Sequence, residues 1–492
     1  MNRQISQLAV FALVLIAALI VGTTYWQTWA AGGLAARQDN AIQRVAQFTI
    51  KRGKIIAADG TVLATNFSKR VEGHTLYFRR YPTGPLFAHI VGYSTQSRSR
   101  AGLERSENDF LTASDTNLSS LYNTTLAQLK GVTVTGNDLH LTVRTGAQRL
   151  AMSALSGQCG AAVVLDPRTG KVLVMASQPS YDPNLVEHNF NLILRAPRAC
   201  TPGSPLLNRA TDGLFTPGST FKVVTASAAL NTGRFTIDST FNDPGYCIEY
   251  GKQVHNSLDQ NGPEVFGTVN FTEALQHSIN AVFCDIGKAI GAGSILNYSK
   301  RYGFYALPPL ETPSNERAAS GLYDHHHLFF PRDPATQVDP GRLAFGQERM
   351  LTTPLQMAMV AATVANGGRE MRPYLVDHVT DSGGTTVSTT HPQEIARPIS
   401  RKTAQDLTTM MEAVVTGGTG TAAQIPGIPV AGKTGTAETA VSNRNTTWFI
   451  AFAPADAPRV AVAVVLENQT GYGGATAAPI AKTLLQALLE RR

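Results

Sequence analysis

Ser219 and Lys222 stand three positions apart in the stretch LFTPGSTFKVVTASAAL, residues 214–230. Pro217 and Gly218 interrupt the segment before them, so the apolar run that follows is predicted to begin a helix near Ser219. Positions three apart on a helix face the same side, which would bring the hydroxyl and the amine together. A serine becomes a nucleophile when a base removes its proton, and a lysine can be that base once its pKa is lowered. Taken alone, the pair equally fits a capped helix with a surface lysine.

Two further short motifs follow along the chain. HSINAVFCDIG, residues 277–287, places a Ser-x-Asn triplet at the start of another helix-like run. VAGKTGTAET, residues 430–439, places a Lys-Thr-Gly-Thr run on a predicted strand. Each motif is weak alone, because the first is a common turn or cap and the second a common strand end. The candidate residues are Ser278 and Asn280, then Lys433, Thr434, Gly435 and Thr436.

In this order, the three motifs resemble the signature of the penicillin-interacting serine acyltransferases. The rest of the chain resembles class B penicillin-binding proteins, which are monofunctional transpeptidases, and in overall size their actinobacterial penicillin-binding protein A branch. In one place the chain departs from the family, since residues 57–60 read Ala-Ala-Asp-Gly where Asp-Arg-Asn-Gly is frequent. The segments that carry the resemblance are RGKIIAADGTVLA (52–64), RRYPTGPLFAHIVGY (79–93), AGLERSENDFL (101–111), LDPRTGKVLVMASQPSYDPN (165–184), NRATDGLFTPGSTFK (208–222), FGQERMLTTPLQMAMVAATVANGG (345–368) and GGTGTAAQIPGIPVAGKTGTAE (417–438).

The resemblance implies acyl transfer at a stem peptide that ends in D-Ala-D-Ala, and it gives three residues catalytic roles. Ser219 would attack the carbonyl carbon and form an acyl-enzyme, while Lys222 would take the hydroxyl proton as a neutral amine. Ser278 would relay a proton to the leaving amine. The same site would be acylated by β-lactams. No metal or organic cofactor is expected.

Substrate binding is implied for the remaining motif residues. Asn280 has both a donor and an acceptor, so it can orient a peptide backbone. Lys433 and the hydroxyls of Thr434 and Thr436 suit a terminal carboxylate. Gly435 would let the substrate approach the strand closely. The oxyanion is expected between the backbone N–H groups of the nucleophile and Thr436.

The elements that must hold these motifs predict an α+β fold. Two apolar runs at 160–177 predict a hairpin, and apolar strands return at 447–453 and 459–468, ahead of a helix from about Pro479 to Leu489. A helix-rich block lies between them, roughly at 219–425. Strands, then helices, then strands that close one sheet favour a central antiparallel sheet flanked by helices. The resemblance implies that this is a transpeptidase domain of the penicillin-binding and serine β-lactamase-like type.

The part before this domain has short, broken periodic segments. Residues 52–66 predict two short strands around an Asp-Gly turn, and residues 131–143 predict a strand pair around Gly136-Asn137-Asp138. A helix is predicted from about Gly146 to Leu155. The resulting division is a cytoplasmic tail (1–7), a transmembrane anchor (8–28), a smaller N-terminal pedestal domain (29–150) and the transpeptidase domain (151–492).

The N-terminus predicts a membrane anchor. Residues 8–24 carry no charge, and the length of this stretch is about the minimum for a membrane-spanning helix. Tyr25, Trp26 and Trp29 suit an interfacial aromatic belt. A cleaved signal peptide is the alternative. Arg3 predicts a cytoplasmic N-terminus by the positive-inside rule. An anchor and a cleaved signal peptide would both export the rest of the chain.

Composition excludes several other classes of protein. The 492 residues carry a formal net charge of +7 without a long basic run, which argues against nucleic-acid binding. The four cysteines lie in the predicted exported part, where disulfides can form, and they allow three pairings. Buried free thiols are the alternative, and no cysteine has metal-ligand spacing. Three adjacent histidines in DHHH (324–327) cannot all face one ion on a regular element, so they are interpreted as a solvated loop.

Several functions stay open at this level. The principal one is a peptidoglycan D,D-transpeptidase of cell-wall synthesis and division. A D,D-carboxypeptidase or endopeptidase would give the same acyl-enzyme to water, and a β-lactamase would hydrolyse the antibiotic. A division scaffold with incidental acylation, or a β-lactam receptor, belongs to another class. The predicted pedestal is too short for a glycosyltransferase, so a separate multi-span peptidoglycan polymerase is the expected partner.

Overall fold

The computed structural model describes residues 2–25, 48–71, 74–114, 133–194, 200, 203–259, 262–439, 441 and 443–490. Its first element is the helix Asn2–Thr24, in which the window Gln7–Thr24 has a mean hydropathy of 2.3 and is not buried against the protein. This helix is long and apolar enough to cross a bilayer. The aromatic residues Trp26 and Trp29 and the predicted end of the span at residue 28 lie outside the described residues.

The central sheet has five strands, all antiparallel to their neighbours. Almost every residue on these strands is buried, which explains why they appear in the sequence as continuous apolar runs. The predicted hairpin and the two predicted C-terminal strands are confirmed. From one edge to the other, the order is Ala431–Glu438, Asn445–Ala453, Val460–Gln469, Gly160–Leu165 and Val172–Gln178.

Helices cover both faces of the central sheet. Gly473–Leu489 and Thr145–Ala154 pack on one face, and Pro354–Ala365 packs on the other. This layering confirms the predicted α+β class with a central antiparallel sheet flanked by helices. The other longer helices in the described part of the chain are Lys222–Asn231, Phe271–Gln276, Asn280–Arg301, which bends at Gly291, and Arg401–Gly417.

The C-terminal helix begins earlier than predicted. It starts at Gly473 and runs through Pro479, where the sequence favours a start because an interior proline removes a hydrogen bond. Close packing of the first turns stabilises the helix despite the interior Pro479. A Cβ atom on Gly473 would lie 2.4 Å from the carbonyl oxygen of Gly435, and Ala477 and Ala478 are fully buried.

A second sheet has six strands and takes them from two distant parts of the chain. Strands Ile55–Ile56 and Asp138–Leu141 pair in parallel, whereas the other neighbours are antiparallel. Two of its strands come from residues 376–389, far beyond the N-terminal segment. The order is Thr386–Thr389, Val376–Thr380, Asp138–Leu141, Ile55–Ile56, Val62–Val71 and His74–Arg80.

The strand pair predicted at residues 131–143 is wrong. Within its described part only Asp138–Leu141 forms a strand, and Thr135 makes an isolated bridge to Lys51. Gly136 serves close packing rather than a hairpin turn, because a Cβ atom there would lie 1.8 Å from the carbonyl oxygen of Leu111. The two strands predicted around Asp59-Gly60 are confirmed.

Short elements fill the loops, so the block predicted as helix-rich also contains small ribbons. The short helices are Gly84–Phe87, Ala88–Val91, Gly102–Ser106, Asn108–Leu111, Pro183–Leu185, Phe190–Ile193, Gly218–Phe221, Ser314–Glu316, Pro334–Gln337, Pro340–Ala344 and Thr421–Ala423. The short strands are Thr240–Asp243, Tyr246–Glu249, Lys252–His255, Leu258–Asp259, Gly262–Pro263, Gly267–Asn270, Gly321–Asp324, His327–Leu328, Met350–Leu351, Glu370–Met371 and Glu394–Ala396.

Two disulfides join the four cysteines, and this selects one of the three possible pairings. Cys159 is bonded to Cys200, and Cys247 is bonded to Cys284. The second bond ties the ribbon that contains Tyr246–Glu249 to the helix that begins at Asn280.

Candidate active site

Ser219 lies in a single 3-10 turn, Gly218–Phe221, that continues directly into the helix Lys222–Asn231. Gly218 has a φ of 51°, and a Cβ atom on it would lie 2.7 Å from the carbonyl oxygen of Thr436. Glycine is therefore needed where this turn touches the edge strand of the central sheet. The neighbours Gly218 and Thr220 are buried, whereas Ser219 is half-buried and accessible.

Lys222 is fully buried, and its amine points to the second motif. Its Nζ atom donates hydrogen bonds to the carbonyl oxygen of Ser278 at 2.6 Å and to Oδ1 of Asn280 at 2.8 Å, and it lies 3.3 Å from Oγ of Ser278. Among the described residues, no hydrogen bond joins Nζ to the hydroxyl of Ser219, although the two share one helical start. Such contacts often tighten only when substrate binds.

The Ser-x-Asn turn is held in an unusual backbone conformation. Ser278 has a φ of 61°, a region that is uncommon for residues other than glycine. The following helix begins at Asn280, whose Nδ2 donates to the carbonyl oxygen of His255 at 3.0 Å. Backbone strain at such a point is a frequent mark of a functional site.

Lys433 contacts the same serine from the edge strand of the central sheet. It is fully buried on the strand Ala431–Glu438, and its Nζ donates to Oγ of Ser278 at 2.8 Å and to the carbonyl oxygen of Thr434 at 3.1 Å. The hydroxyl of Ser278 therefore lies between two buried amines.

Burial lowers the pKa of both lysines, and repulsion adds to the effect at Lys222. Burial lowers the pKa of Lys222 well below its ordinary value, and the nearby Lys433 lowers it further. Burial also lowers the pKa of Lys433 to about 7. A neutral amine is thus accessible near physiological pH, and a neutral amine can accept a proton.

The strand that carries Lys433 forms the edge of the central sheet and faces the nucleophile turn. Gly435 must be a glycine, since a Cβ atom there would lie 2.8 Å from the carbonyl oxygen of Pro217. The hydroxyls of Thr434 and Thr419 are 2.6 Å apart, and Oγ1 of Thr436 accepts a hydrogen bond from the N–H of Gly473 at 3.2 Å.

The structure brings together all eight residues that the sequence singled out, and it adds supports that the sequence did not reveal. Thr419 orients the hydroxyl of Thr434, and its only sequence signal is its place in a Gly-Gly-Thr-Gly-Thr run. Asn256 accepts from the backbone N–H of Ala281 at 3.0 Å and donates to the carboxylate of Asp243. These contacts fix the start of the helix that carries Asn280.

Two other groups with suggestive chemistry have structural roles instead. Glu311 begins a Glu-x-x-x-Asn sequence of the kind that activates water in some β-lactamases, but its carboxylate accepts from the N–H groups of Leu375 and Val376 at 2.9 to 3.2 Å. Cys247, Glu249 and Cys284 have ligand-type atoms within 4.8 Å of one another, yet the two cysteines are bonded to each other.

Comparison with known families identifies the domains to which these segments of the chain belong. Residues 160–486 match the penicillin binding protein transpeptidase domain, and residues 52–139 match the penicillin binding protein A dimerisation domain. The chain belongs to the family of penicillin-binding transpeptidases. The predicted class of enzyme, a serine-type D,D-transpeptidase, is confirmed.

The similarity to particular relatives extends over the full chain. Peptidoglycan D,D-transpeptidase PbpA of Mycolicibacterium smegmatis is 35% identical, with 99% of both chains covered, and PbpA of Mycobacterium tuberculosis is 34% identical over 100% of this chain and 99% of its own. The ceftriaxone acyl-enzyme structure of penicillin-binding protein A from M. tuberculosis has a TM-score of 0.79 and 32% identity, covering 90% of this chain and all of its own. These relatives confirm the resemblance to the penicillin-binding protein A branch.

Proposed function

We propose that this chain is a peptidoglycan D,D-transpeptidase that forms an acyl-enzyme at Ser219 and is acylated there by β-lactams. The observation that carries the proposal is the meeting of two buried lysines at the hydroxyl of Ser278. Neither lysine has a carboxylate partner among the described residues. Buried and unpaired amines have lowered pKa values, which is the state that a catalytic base requires.

Acylation would use the nucleophile turn and the edge strand together. Oγ of Ser219 forms a bond to the carbonyl carbon of the penultimate D-alanine while its proton passes to Nζ of Lys222. Negative charge develops on the carbonyl oxygen, which the backbone N–H groups of Ser219 and Thr436 stabilise. The close approach of Gly218 to the backbone of Thr436 supports this arrangement, because it places the nucleophile turn beside the strand residue that carries the second N–H group.

The second half of the step requires a proton on the leaving amine. As the C–N bond breaks, the proton passes from Lys222 through the hydroxyl of Ser278 to the departing D-alanine. The 3.3 Å separation of Nζ from this hydroxyl suits such a relay, and Lys433 holds the hydroxyl in place at 2.8 Å. An amine of a second stem peptide then attacks the ester, and the proton path runs in reverse to restore Ser219.

Substrate orientation falls to the same strand and turn. We assign the terminal carboxylate to the hydroxyls of Thr434 and Thr436, with the amine of Lys433 behind them. A bound carboxylate would favour the protonated form of that amine. Gly435 leaves room for the peptide along the strand edge, and the amide of Asn280 orients the peptide backbone. Thr436 is the most accessible of these strand residues, which suits direct contact with substrate.

The mycobacterial relatives named as D,D-transpeptidases and the acyl-enzyme complexes of penicillin-binding protein A support the same chemistry.

We also propose that the helix Asn2–Thr24 is an uncleaved single-span anchor, with the N-terminus in the cytoplasm and the enzyme outside. The proposed domains are the cytoplasmic tail (1–7), the anchor (8–28), the pedestal (29–150) and the transpeptidase domain (151–492). We also propose that a multi-span peptidoglycan polymerase contacts the anchor and the pedestal.

The test uses the full chain in detergent micelles and a fluorescent penicillin. Wild type and Ser314→Ala, which changes an exposed serine far from the motifs along the chain, are expected to retain the label through denaturation, whereas Ser219→Ala takes none. Labelling of Ser219→Ala at the wild-type rate would refute the proposed nucleophile. Rapid loss of label from wild type would instead identify a β-lactamase.

A second readout separates transfer from hydrolysis. A soluble pentapeptide stem is incubated with the enzyme and an excess of a free D-amino acid. A transpeptidase exchanges the terminal D-alanine for the added amino acid, while a carboxypeptidase yields only the shortened tetrapeptide. A stable penicillin adduct without either product would favour a scaffold role.

A further inference from the structure

A groove of about 860 Å³ lies at the end of the central sheet that is remote from the nucleophile turn. Its walls come from the helix Arg401–Gly417, the end of the helix Pro354–Ala365, the turn at 455–458 and the turn at 166–170. Four arginines line it, and we call it the arginine groove. They are Arg168, Arg369, Arg397 and Arg401.

The arginines come from three separate segments of the chain, since Arg397 and Arg401 are only four positions apart. Among the described residues, each of them makes at most one contact with a carboxylate. Three of them make single long contacts with carboxylates, at 3.7 Å to Asp166 and at 3.9 and 3.4 Å to a shared Glu394. These contacts are solvent-exposed and therefore weak. Arg401 makes no ion pair among the described residues, and its stem lies against Gly367, since a Cβ atom there would be 3.8 Å from Cγ of Arg401.

The rest of the groove is polar or small. Gln405, Thr408 and Thr409 line the groove along the helix Arg401–Gly417, and Ala457 and Pro458 line it on the turn at 455–458. The hydroxyls of Thr408 and Thr409 donate to carbonyl oxygens of their own helix, so their oxygens remain as acceptors. The groove also contains Asp456, so its lining has four cationic side chains and one anionic side chain. The large aliphatic side chain that lines it, Val364, is 1% exposed.

This chemistry selects a class of ligand. Guanidinium groups bind phosphate through paired hydrogen bonds, and hydroxyl and amide side chains bind the hydroxyls of sugars or polyols. A surface that docks on a bilayer presents large exposed apolar side chains beside its cations, and no large hydrophobic residue among the described residues that line this groove is exposed. We propose that the arginine groove binds an anionic, hydroxyl-rich chain whose charges are phosphodiesters, such as a polyol-phosphate polymer.

The groove is separate from the active site. Thr436 pairs with Thr447, and the groove turn follows Ala453 on the same strand, so the two sites lie roughly 20 Å apart at about 3.3 Å per residue. A polymer in the groove therefore leaves the acylation site open. Binding of such a chain would retain the enzyme beside phosphate-bearing polymer while it reacts elsewhere.

The test measures binding of a fluorescent glycerol-phosphate oligomer, about ten units long, to the full chain in neutral detergent by fluorescence anisotropy. We expect Arg401→Ala to weaken binding about tenfold, the loss of a charge-assisted contact, and Arg397→Ala to add a further loss. Thr409→Trp narrows the groove without changing charge and should also weaken binding. Labelled penicillin should acylate every variant at the wild-type rate, which shows that the fold is intact.

Lys402→Ala is the matched control, because Lys402 follows Arg401 on the same helix but does not line the groove and pairs with Asp406. It should change oligomer binding less than about twofold. Equal losses for Lys402→Ala and Arg401→Ala would overturn the proposal in favour of general charge attraction, and unchanged binding by Thr409→Trp would exclude the groove. Arg401-dependent binding of phosphatidylglycerol vesicles, or of poly-glutamate, with no binding of the oligomer would assign the groove to lipid or to acidic protein instead.

Discussion

The active site and the N-terminal part of the molecule each bury two cations, but they treat them in opposite ways. In the N-terminal part, Arg52 and Arg79 share the carboxylate of Glu104 at 2.9 and 2.5 Å, and all three residues are buried. In the active site, Lys222 and Lys433 share only a neutral hydroxyl.

The difference separates a structural cluster from a reactive one. Burial opposes the charge of Glu104, but Arg79 and Arg52 outweigh it and hold the pKa of that carboxyl below its usual range. Burial lowers the pKa of Arg52 only to about 10, so this arginine stays charged at neutral pH. Burial lowers the pKa of Lys433 to about 7, and no carboxylate in the described part of the chain pairs with it. A paired buried charge therefore fixes structure, whereas an unpaired buried amine gains proton-transfer chemistry.

The largest effect is expected at Lys222. Lys222→Met keeps the buried stem and removes the base, so the second-order rate of acylation by a labelled penicillin should fall about a thousandfold. Lys222→Arg should not restore it, because a guanidinium stays protonated. The exposed Lys402→Met is the control. Acylation of Lys222→Met within about tenfold of wild type would assign the base elsewhere.

The next effect belongs to the paired cluster and concerns stability. Glu104→Gln leaves two buried arginines without a full counter-charge, so the free energy of unfolding of the full chain should fall by about 3 kcal/mol. Denaturant unfolding, followed by tryptophan fluorescence, measures this loss. The acylation rate constant of the folded protein should stay unchanged. Asp109→Asn, at an exposed neighbour, should change stability little. If Glu104→Gln lowers the free energy of unfolding only slightly, the cluster of Arg52, Arg79 and Glu104 does not have the structural role that distinguishes it from the two lysines.

The smallest effect is a pH dependence that arises from Lys433. Its pKa in the folded chain, about 7, lies below the ordinary value of 10.5, so between these values the unfolded chain binds a proton that the folded chain lacks. The free energy of unfolding should therefore rise with pH across this window. The destabilisation that comes from the lowered pKa of Lys433 should be complete below pH 7. Between pH 7 and pH 9, the unfolding free energy of wild type should rise about 2 kcal/mol more than that of Lys433→Met. Parallel pH profiles would show that Lys433 stays charged.

The sequence predicted the chemistry better than the connections between distant segments. Short motifs such as Ser219-x-x-Lys222 carry their own spacing, and the buried strands of the central sheet are visible as apolar runs. The strands at residues 376–389 could not be assigned to the second sheet, because pairing with Asp138–Leu141 depends on residues more than two hundred positions away. The pairing of the cysteines could not be predicted for the same reason, because it depends on contacts between segments that are distant in the sequence. Gly136 looked like a turn, although its real requirement is contact with Leu111.

The second sheet also determines how the chain can be shortened. A fragment that starts at residue 151 loses Asp138–Leu141, so the strand Val376–Thr380 keeps only Thr386–Thr389 as a neighbour. Val376 and Val379, now 6% and 2% exposed, would be uncovered beside a row of unpaired N–H and C=O groups, which invites aggregation. A soluble version of the enzyme should therefore begin between the N-terminal helix and Lys51, and not at the first residue of the transpeptidase match.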